Sequence, residues 1–310
     1  MGFVAKRPRL AAWYRATRPR TLAATYVPLG LAGVIALDDG LFNLWRFILA
    51  LLGALSLQIA ANLINEYADY RRGADALKEA GQGMVIKHAV LEPRLVLRGA
   101  VVTVIIGVSI GLFLVTLSGP LLLWIGLGGV LVVIAYTAGP LPLAYIGLGE
   151  LAVFIFMGPL MVLGAYYVTA AGQSSAIALL AGLPVGFMVA AILHANNIRD
   201  IDADRAANKR TLAVIFGRRV ARAEYIFWVA GAYAMVGGLI LAGVMPWTTL
   251  VAFLTAPEAA RLVHIVTTSQ ETALLHQAQG RTARLHGRFG LGLVGGWLLG
   301  RLAQAILASA

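Results

Sequence analysis

Nine apolar stretches, separated by shorter polar ones, set the pattern of this chain. They run over roughly 21–37, 44–64, 96–117, 120–137, 146–168, 175–195, 223–243, 247–260 and 288–308. Most are near the length of about 20 residues that a helix needs to cross a bilayer core. The eighth is the weakest, because Pro257, Glu258 and Arg261 cut into it. The pattern predicts an all-α integral membrane protein with nine transmembrane helices. No Pro/Ser/Gly linker interrupts it, so residues 1–310 are expected to form one domain.

Composition strengthens that reading. Hydrophobic residues make up 60% of the chain and charged residues 13%, against about a quarter charged in soluble domains. Mean hydropathy is +0.82. The basic residues are one-sided: the N-terminus and segments 65–98, 197–222 and 261–288 hold 23 of the 25 Lys/Arg, leaving Arg46 and Arg301 elsewhere. The positive-inside rule makes that side cytoplasmic, with the N-terminus inside and the C-terminus outside. Topology in a plasma or inner membrane therefore accounts for the net charge of +11 without a nucleic-acid partner. The first 20 residues are basic and lack the apolar core of a signal peptide, which suggests a lead-in helix on the membrane surface. Without cysteine, disulfides, thiolate chemistry and Cys-ligated metals are excluded.

The cytoplasmic side also carries the chemistry. One loop reads ANLINEYADYRRGAD (61–75) and another HANNIRDIDADRAANKRTL (194–212), each opening with asparagine at the end of an apolar helix. Asn65 and Asp69 share a helix face at i, i+4, and Asn197, Asp200 and Asp204 share another at i, i+3, i+7. Asp202 points elsewhere, and Asp75 needs a break at Gly73 to rejoin the first face. The likeness suggests a diverged internal repeat whose two motifs face each other. Asp69, Asp75, Asp200 and Asp204 around one cavity would repel by roughly 3 kcal/mol per pair at about 6 Å. Such a cluster needs either raised pKa values or bound cations, and an all-oxygen set favours a hard ion such as Mg²⁺, with water and substrate phosphate completing its shell. Arg71, Arg72, Lys78, Lys87, Arg199, Arg205, Lys209 and Arg210 lie nearby and suit a diphosphate. Taken singly, any of these charges reads as a solvated loop residue; the paired Asn-plus-Asp faces do not. Arg218, Arg219 and Arg222 are expected only to set topology.

These residues resemble the UbiA superfamily of membrane prenyltransferases, and within it the branch that prenylates 1,4-dihydroxy-2-naphthoate in menaquinone synthesis. The likeness runs almost end to end, through ATRPRTL, NEYADYRRGAD, GQGMV, YTAGPLPLAYIGLGE, HANNIRDIDADR and TARLHGRFGLGL. It implies nine helices around a central cavity, with two Asp motifs holding Mg²⁺, two ions, and the diphosphate of a polyprenyl donor. Carried over by position, the motifs are Asn65, Asp69, Asp75 and Asn197, Asp200, Asp204, all metal-binding, with the four aspartates catalytic. The diphosphate would meet Arg71, Arg72, Lys87, Arg199, Arg205 and Lys209. The aromatic acceptor would meet Tyr136, Glu150 and His194. Many relatives have Asp where this chain has Glu66, and the lysine that some animal relatives carry before the second tyrosine of the Tyr136 loop is here Ala144.

Glu150, at the cytoplasmic edge of the fifth apolar stretch, reads equally as orienting the acceptor or as pairing with Arg18 or Arg20. His194 reads equally as a satisfied helix-end histidine. Gly147, Gly149, Gly158 and Gly164 suit close helix packing, and Trp13, Trp45 and Trp247 suit interfacial anchors. A transporter is the rival from another class, but transporters place polar residues near the bilayer midplane, whereas these acids sit at helix ends on one side. Within the superfamily the rival acceptors are 4-hydroxybenzoate, homogentisate and a glycerol phosphate.

Overall fold

The computed structural model describes residues 8–73, 83–137 and 142–309, and every regular element among them is helical. In chain order these are α1 (Pro8–Ala16), α2 (Ala23–Asp38), α3 (Leu44–Arg71), α4 (Pro93–Ser118), α5 (Pro120–Ala135), α6 (Gly149–Met157) and α7 (Pro159–Thr169). There follow α8 (Ala176–Arg199), α9 (Ile201–Ala206), α10 (Leu212–Leu241), α11 (Ala256–Thr268) and α12 (Thr272–Ser309). Three 3₁₀ segments, Pro19–Thr21, Leu143–Tyr145 and Trp247–Thr255, join them.

Local chemistry explains where the long helices begin. Asn43, Ser175 and Thr211 each accept a hydrogen bond from the backbone N–H three residues on, capping α3, α8 and α10. Proline opens α4, α5 and α7, where its missing N–H costs nothing.

All nine apolar stretches are helical among the described residues, yet only seven helical stretches are long and apolar enough to span a membrane. An eighth is reached if Arg9–Thr21 and Ala23–Asp38, bent by 52°, form one broken span. The 16-residue α5 is about 24 Å long, short of a core about 30 Å thick. The expected count of nine is therefore not reproduced by helix length. The chain is nonetheless a multi-pass membrane protein. On α4 and α5, Val102, Ile105, Leu112, Trp124 and Leu131 are all more than half exposed, an apolar surface that only lipid suits.

The core gathers around α8, which packs on α2, α6, α7, α10 and α12. Glycine makes the closest approach possible. A Cβ added at Gly186 would lie 2.5 Å from the Phe154 carbonyl oxygen, and one at Gly158 would lie 2.5 Å from the Gly186 Cα. Gly158 thus packs as its sequence context suggests. Gly147 instead occupies a left-handed turn at φ 78°, which favours glycine. Gly186→Ala should therefore lower stability in detergent by about 1–3 kcal/mol. Gly111, with nothing within 4 Å, should tolerate alanine with unchanged or slightly raised stability. Thermal unfolding of the two variants checks both.

Candidate active site

Helices α2 to α8 enclose a cavity of about 540 Å³. Along α3 its lining runs from Ala50 to Asp69, 19 residues or about 28 Å of helix. One end is polar, with Arg18, Thr21, Asn62, Asn65, Asp69, Tyr136, Asn196, Asn197, Arg199, Asp200, Lys209 and Gln279; apart from Gln58 the remainder is aliphatic and aromatic, including Leu57, Ile110, Ile125, Phe156 and Met161. The two polar motifs thus meet across one space: Asn65 and Asp69 come from the end of α3, and Asn197 and Asp200 from the end of α8.

Each buried acid has its own partner. Tyr145 donates its hydroxyl to Asp69 Oδ1 at 3.2 Å, and the tyrosine ring lies 4.6 Å from the Arg72 guanidinium and 5.6 Å from the Lys209 ammonium. Burial, then the Asp69 charge, pushes the Tyr145 phenol well above its ordinary pKa, so it remains a donor at neutral pH. Arg199 grips Asp200 through Nε at 2.6 Å, and also reaches Asn196 Oδ1 at 2.8 Å and His276 Nδ1 at 3.0 Å. Lys209 Nζ lies 3.4 Å from Asp204 Oδ1. Glu66, fully buried, accepts from Arg18 Nη2 at 3.4 Å and from the backbone N–H groups of Met84 and Ile86 at 3.0 and 3.3 Å. This one carboxylate ties the segment after residue 83 to α3.

Several expectations are revised. The helix breaks between α8 and α9 at Asp200, so Asn197, Asp200 and Asp204 do not share one straight face. Asp204 is buried beside Lys209 and is absent from the cavity wall. Asp75 and Lys78 lie outside the described residues. Among the described residues no three acidic or histidine side chains converge closely enough to hold a metal. Arg71, Arg72, Lys87 and Arg205 do not line the cavity, and Arg205 turns outward to Asp202 at 3.4 Å. Asp202 is exposed and also meets Arg218 at 3.0 Å, consistent with its place off the motif face. Arg210 is exposed, its backbone N–H bound to the Tyr145 carbonyl oxygen. Arg222 reaches the Ser269 carbonyl oxygen at 2.6 Å, a structural link beyond topology.

Glu150 and His194 also leave the wall. Glu150 accepts from Asn197 Nδ2 at 2.8 Å and lies 2.9 Å from His194 Nδ1, with neither Arg18 nor Arg20 as its partner. His194 Nε2 faces the Ala221 carbonyl oxygen at 2.8 Å. A carbonyl only accepts, so Nε2 is the ring nitrogen that donates there, and Glu224 Oε2 lies 3.4 Å from the same nitrogen. Because the Asn197 amide nitrogen is held by Glu150, its Oδ1 is the atom left for the cavity.

Sequence reasoning overlooked Tyr145, Gln279 and the anchoring role of Glu66, and it gave Arg18 no place in the site. Quoted segments contained three of the four, yet a tyrosine or arginine in a loop carries no spacing signal of its own. Truncating Glu150 to Ala strands the Asn197 amide and the His194 ring in a buried place, so stability should fall by about 2 kcal/mol or more. Asp202→Asn removes only exposed ion pairs and should shift it by less than about 1 kcal/mol. Paired thermal melts distinguish the two.

Residues 26–278 match the UbiA prenyltransferase family. The chain is 33% identical over 287 residues to the 1,4-dihydroxy-2-naphthoate octaprenyltransferase of Bacillus subtilis, covering 92% of each chain. It is 36% identical over 253 residues to the enzyme of that name from Mycobacterium tuberculosis, covering 81% of this chain and 84% of that one. Its fold matches the apo structure of a UbiA homolog from Aeropyrum pernix K1, with TM-score 0.67 and 20% identity over 88% of this chain and 97% of that one. It also matches a UbiA homolog from Archaeoglobus fulgidus bound to GPP and Mg²⁺, with TM-score 0.59 and 15% identity over 92% and 99%. A long apolar cavity with a polar mouth, relatives alike over nearly their whole length and a shared helical fold agree: the chain belongs to the UbiA prenyltransferase family and is a membrane prenyltransferase.

Proposed function

We propose that the protein transfers a polyprenyl group from polyprenyl diphosphate to 1,4-dihydroxy-2-naphthoate, releasing diphosphate and CO₂, in menaquinone synthesis. The observation that carries this reading is the single cavity joining Asp69 and Asp200 to a mainly apolar wall that runs on along α3 to Ala50, about 16 Å beyond the polar end. An isoprenoid tail costs about 0.8 kcal/mol per CH₂ to hold in water, and this wall removes that cost. The names of the bacterial relatives support the naphthoate acceptor.

In this reading Arg18, Arg199 and Lys209 meet the diphosphate. The bond between the allylic carbon and the diphosphate oxygen breaks with its electron pair leaving on oxygen, and the cationic side chains stabilise that charge as it builds. The electron-poor allylic carbon is then attacked by the ring carbon of the acceptor, which loses its carboxylate as CO₂. Tyr136, on the wall, contacts the acceptor; Glu150 and His194 act from behind it by holding Asn197. Arg199 exchanges part of its grip on Asp200 for the incoming phosphate, while Tyr145 keeps Asp69 oriented.

The donors present fit a hard divalent cation. Asp69 and Asp200 supply carboxylate oxygen on opposite walls, and Asn65 and Asn197 line the same space, with the Glu150 contact leaving the Asn197 amide oxygen for the cavity. These four would hold Mg²⁺, in two ions. When bound, Mg²⁺ neutralises charge on the departing diphosphate. In this reading the polar mouth faces the cytoplasm and the N-terminus lies inside, as the basic bias supports, with nine crossings when the short α2 and α5 are counted.

The test is a product assay in liposomes, with Mg²⁺ and a polyprenyl diphosphate, offering dihydroxynaphthoate and 4-hydroxybenzoate separately and reading by mass spectrometry. A prenylated, decarboxylated naphthol that disappears on chelation is expected. Product with hydroxybenzoate alone would overturn the acceptor. Asp69→Asn and Asp200→Asn should each lower turnover about 100-fold or more without loss of fold, while Asp202→Asn remains near wild type. Near-normal turnover in either of the first two variants would remove that residue from the site.

A further inference from the structure

A second charged cleft lies outside the cavity, between α11 and the cytoplasmic half of α12. Its volume is about 240 Å³, and Glu258, Arg281, Arg284, Leu285 and Arg288 line it. None of these lines the prenyl cavity. Arg281 is already committed, donating to both Glu258 oxygens at 2.9 and 2.8 Å. Arg261 and Arg288 lie close enough to Glu258 for their charges to act on it. One carboxylate thus stands among a group of arginines. Arg261, Arg284 and Arg288 are exposed, and among the described residues none of them has an ion-pair partner. The excess of positive charge calls for an anion.

The shape of α12 says which kind. The helix has 38 residues, about 57 Å, nearly twice the thickness of a bilayer core. Its apolar run begins at Arg288, so Arg284 and Arg288 stand where headgroups would lie. Arg284, Arg288, Leu291, Leu298 and Leu302 follow at three-, four- and seven-residue spacing, which keeps them on one stripe of the helix. Leu291 is 65% and Leu302 58% exposed. The stripe therefore passes from two unpaired guanidinium groups to a row of exposed leucines. Arginine binds phosphate through its planar fork, and the leucines match acyl chains.

We infer that this cleft is a binding site for the phosphate headgroup of an anionic phospholipid, its acyl chains lying along the Leu291–Leu302 stripe. Free phosphate shares the headgroup chemistry and lacks the chains. Arg94 and Arg98, an exposed pair at the start of α4, provide a control with equal charge and no place in the cleft.

The full-length protein in detergent would be loaded with phosphatidylglycerol or phosphatidylcholine, and retained lipid read by native mass spectrometry. Phosphatidylglycerol should be retained and phosphatidylcholine lost, with no displacement by excess inorganic phosphate. R284Q/R288Q should lower retention about tenfold or more, R284K/R288K should lower it less, and R94Q/R98Q should leave it unchanged. All three variants change exposed side chains and should melt as the wild type does. Equal retention by R284Q/R288Q, equal loss in R94Q/R98Q, or equal retention of phosphatidylcholine would overturn the proposal. Displacement by inorganic phosphate would make the cleft an anion site and overturn the lipid assignment.

Discussion

Holding carboxylates at the edge of an apolar bundle is the constraint on which the site depends. A buried, unpaired charge is expensive enough that each acid needs a dedicated partner. Tyr145 serves Asp69, Arg199 serves Asp200, Lys209 serves Asp204, Arg18 and two backbone N–H groups serve Glu66, and Asn197 with His194 serves Glu150. These pairings cross between α3, α6, α8 and the connecting segments, so the same contacts that stabilise the acids also bring the two polar motifs together. Removing one partner leaves the other stranded in a buried place.

The pairing also changes how the mouth of the cavity is understood. Four mutually repelling aspartates would need a cation before they could assemble. In the structure, positive side chains pair with two of them, and Arg199 and Lys209 are the same groups that line the cavity. Under the proposed function, an arriving diphosphate would meet cations already fixed in place, and the carboxylates they release would be free to hold a metal ion. Preorganised charge of this kind favours the departing diphosphate over the bound donor. In the proposed function, the apolar remainder of the cavity would separate the tail from water along residues 50–61 of α3.

Helix content and the membrane location were legible because bilayer thickness imposes a length that composition cannot disguise. Asn65, Asp69, Asn197 and Asp200 were legible because helical spacing places each pair on a face. The position of Asp204 was not, since a break at Asp200 is a backbone event that the i, i+7 spacing hides. Glu150 and His194 look like cavity residues in one dimension and prove to stand behind Asn197, a depth that periodicity does not encode. Arg205 likewise sits beside motif residues in the chain while facing the opposite way. Tyr145 was missed because its role arises only where the loop crosses the end of α3. Span count suffered from the short α2 and α5, which hydropathy counts and helix length does not.

The measurement that tests this account most directly is a structure of the protein with Mg²⁺ and an unreactive polyprenyl thiodiphosphate. The account predicts the thiodiphosphate between Asp69 and Asp200, in contact with Arg18, Arg199 and Lys209, and the tail passing Leu57 and Phe156. A ligand whose diphosphate binds away from both motifs, or whose tail lies outside the cavity against lipid, would contradict it.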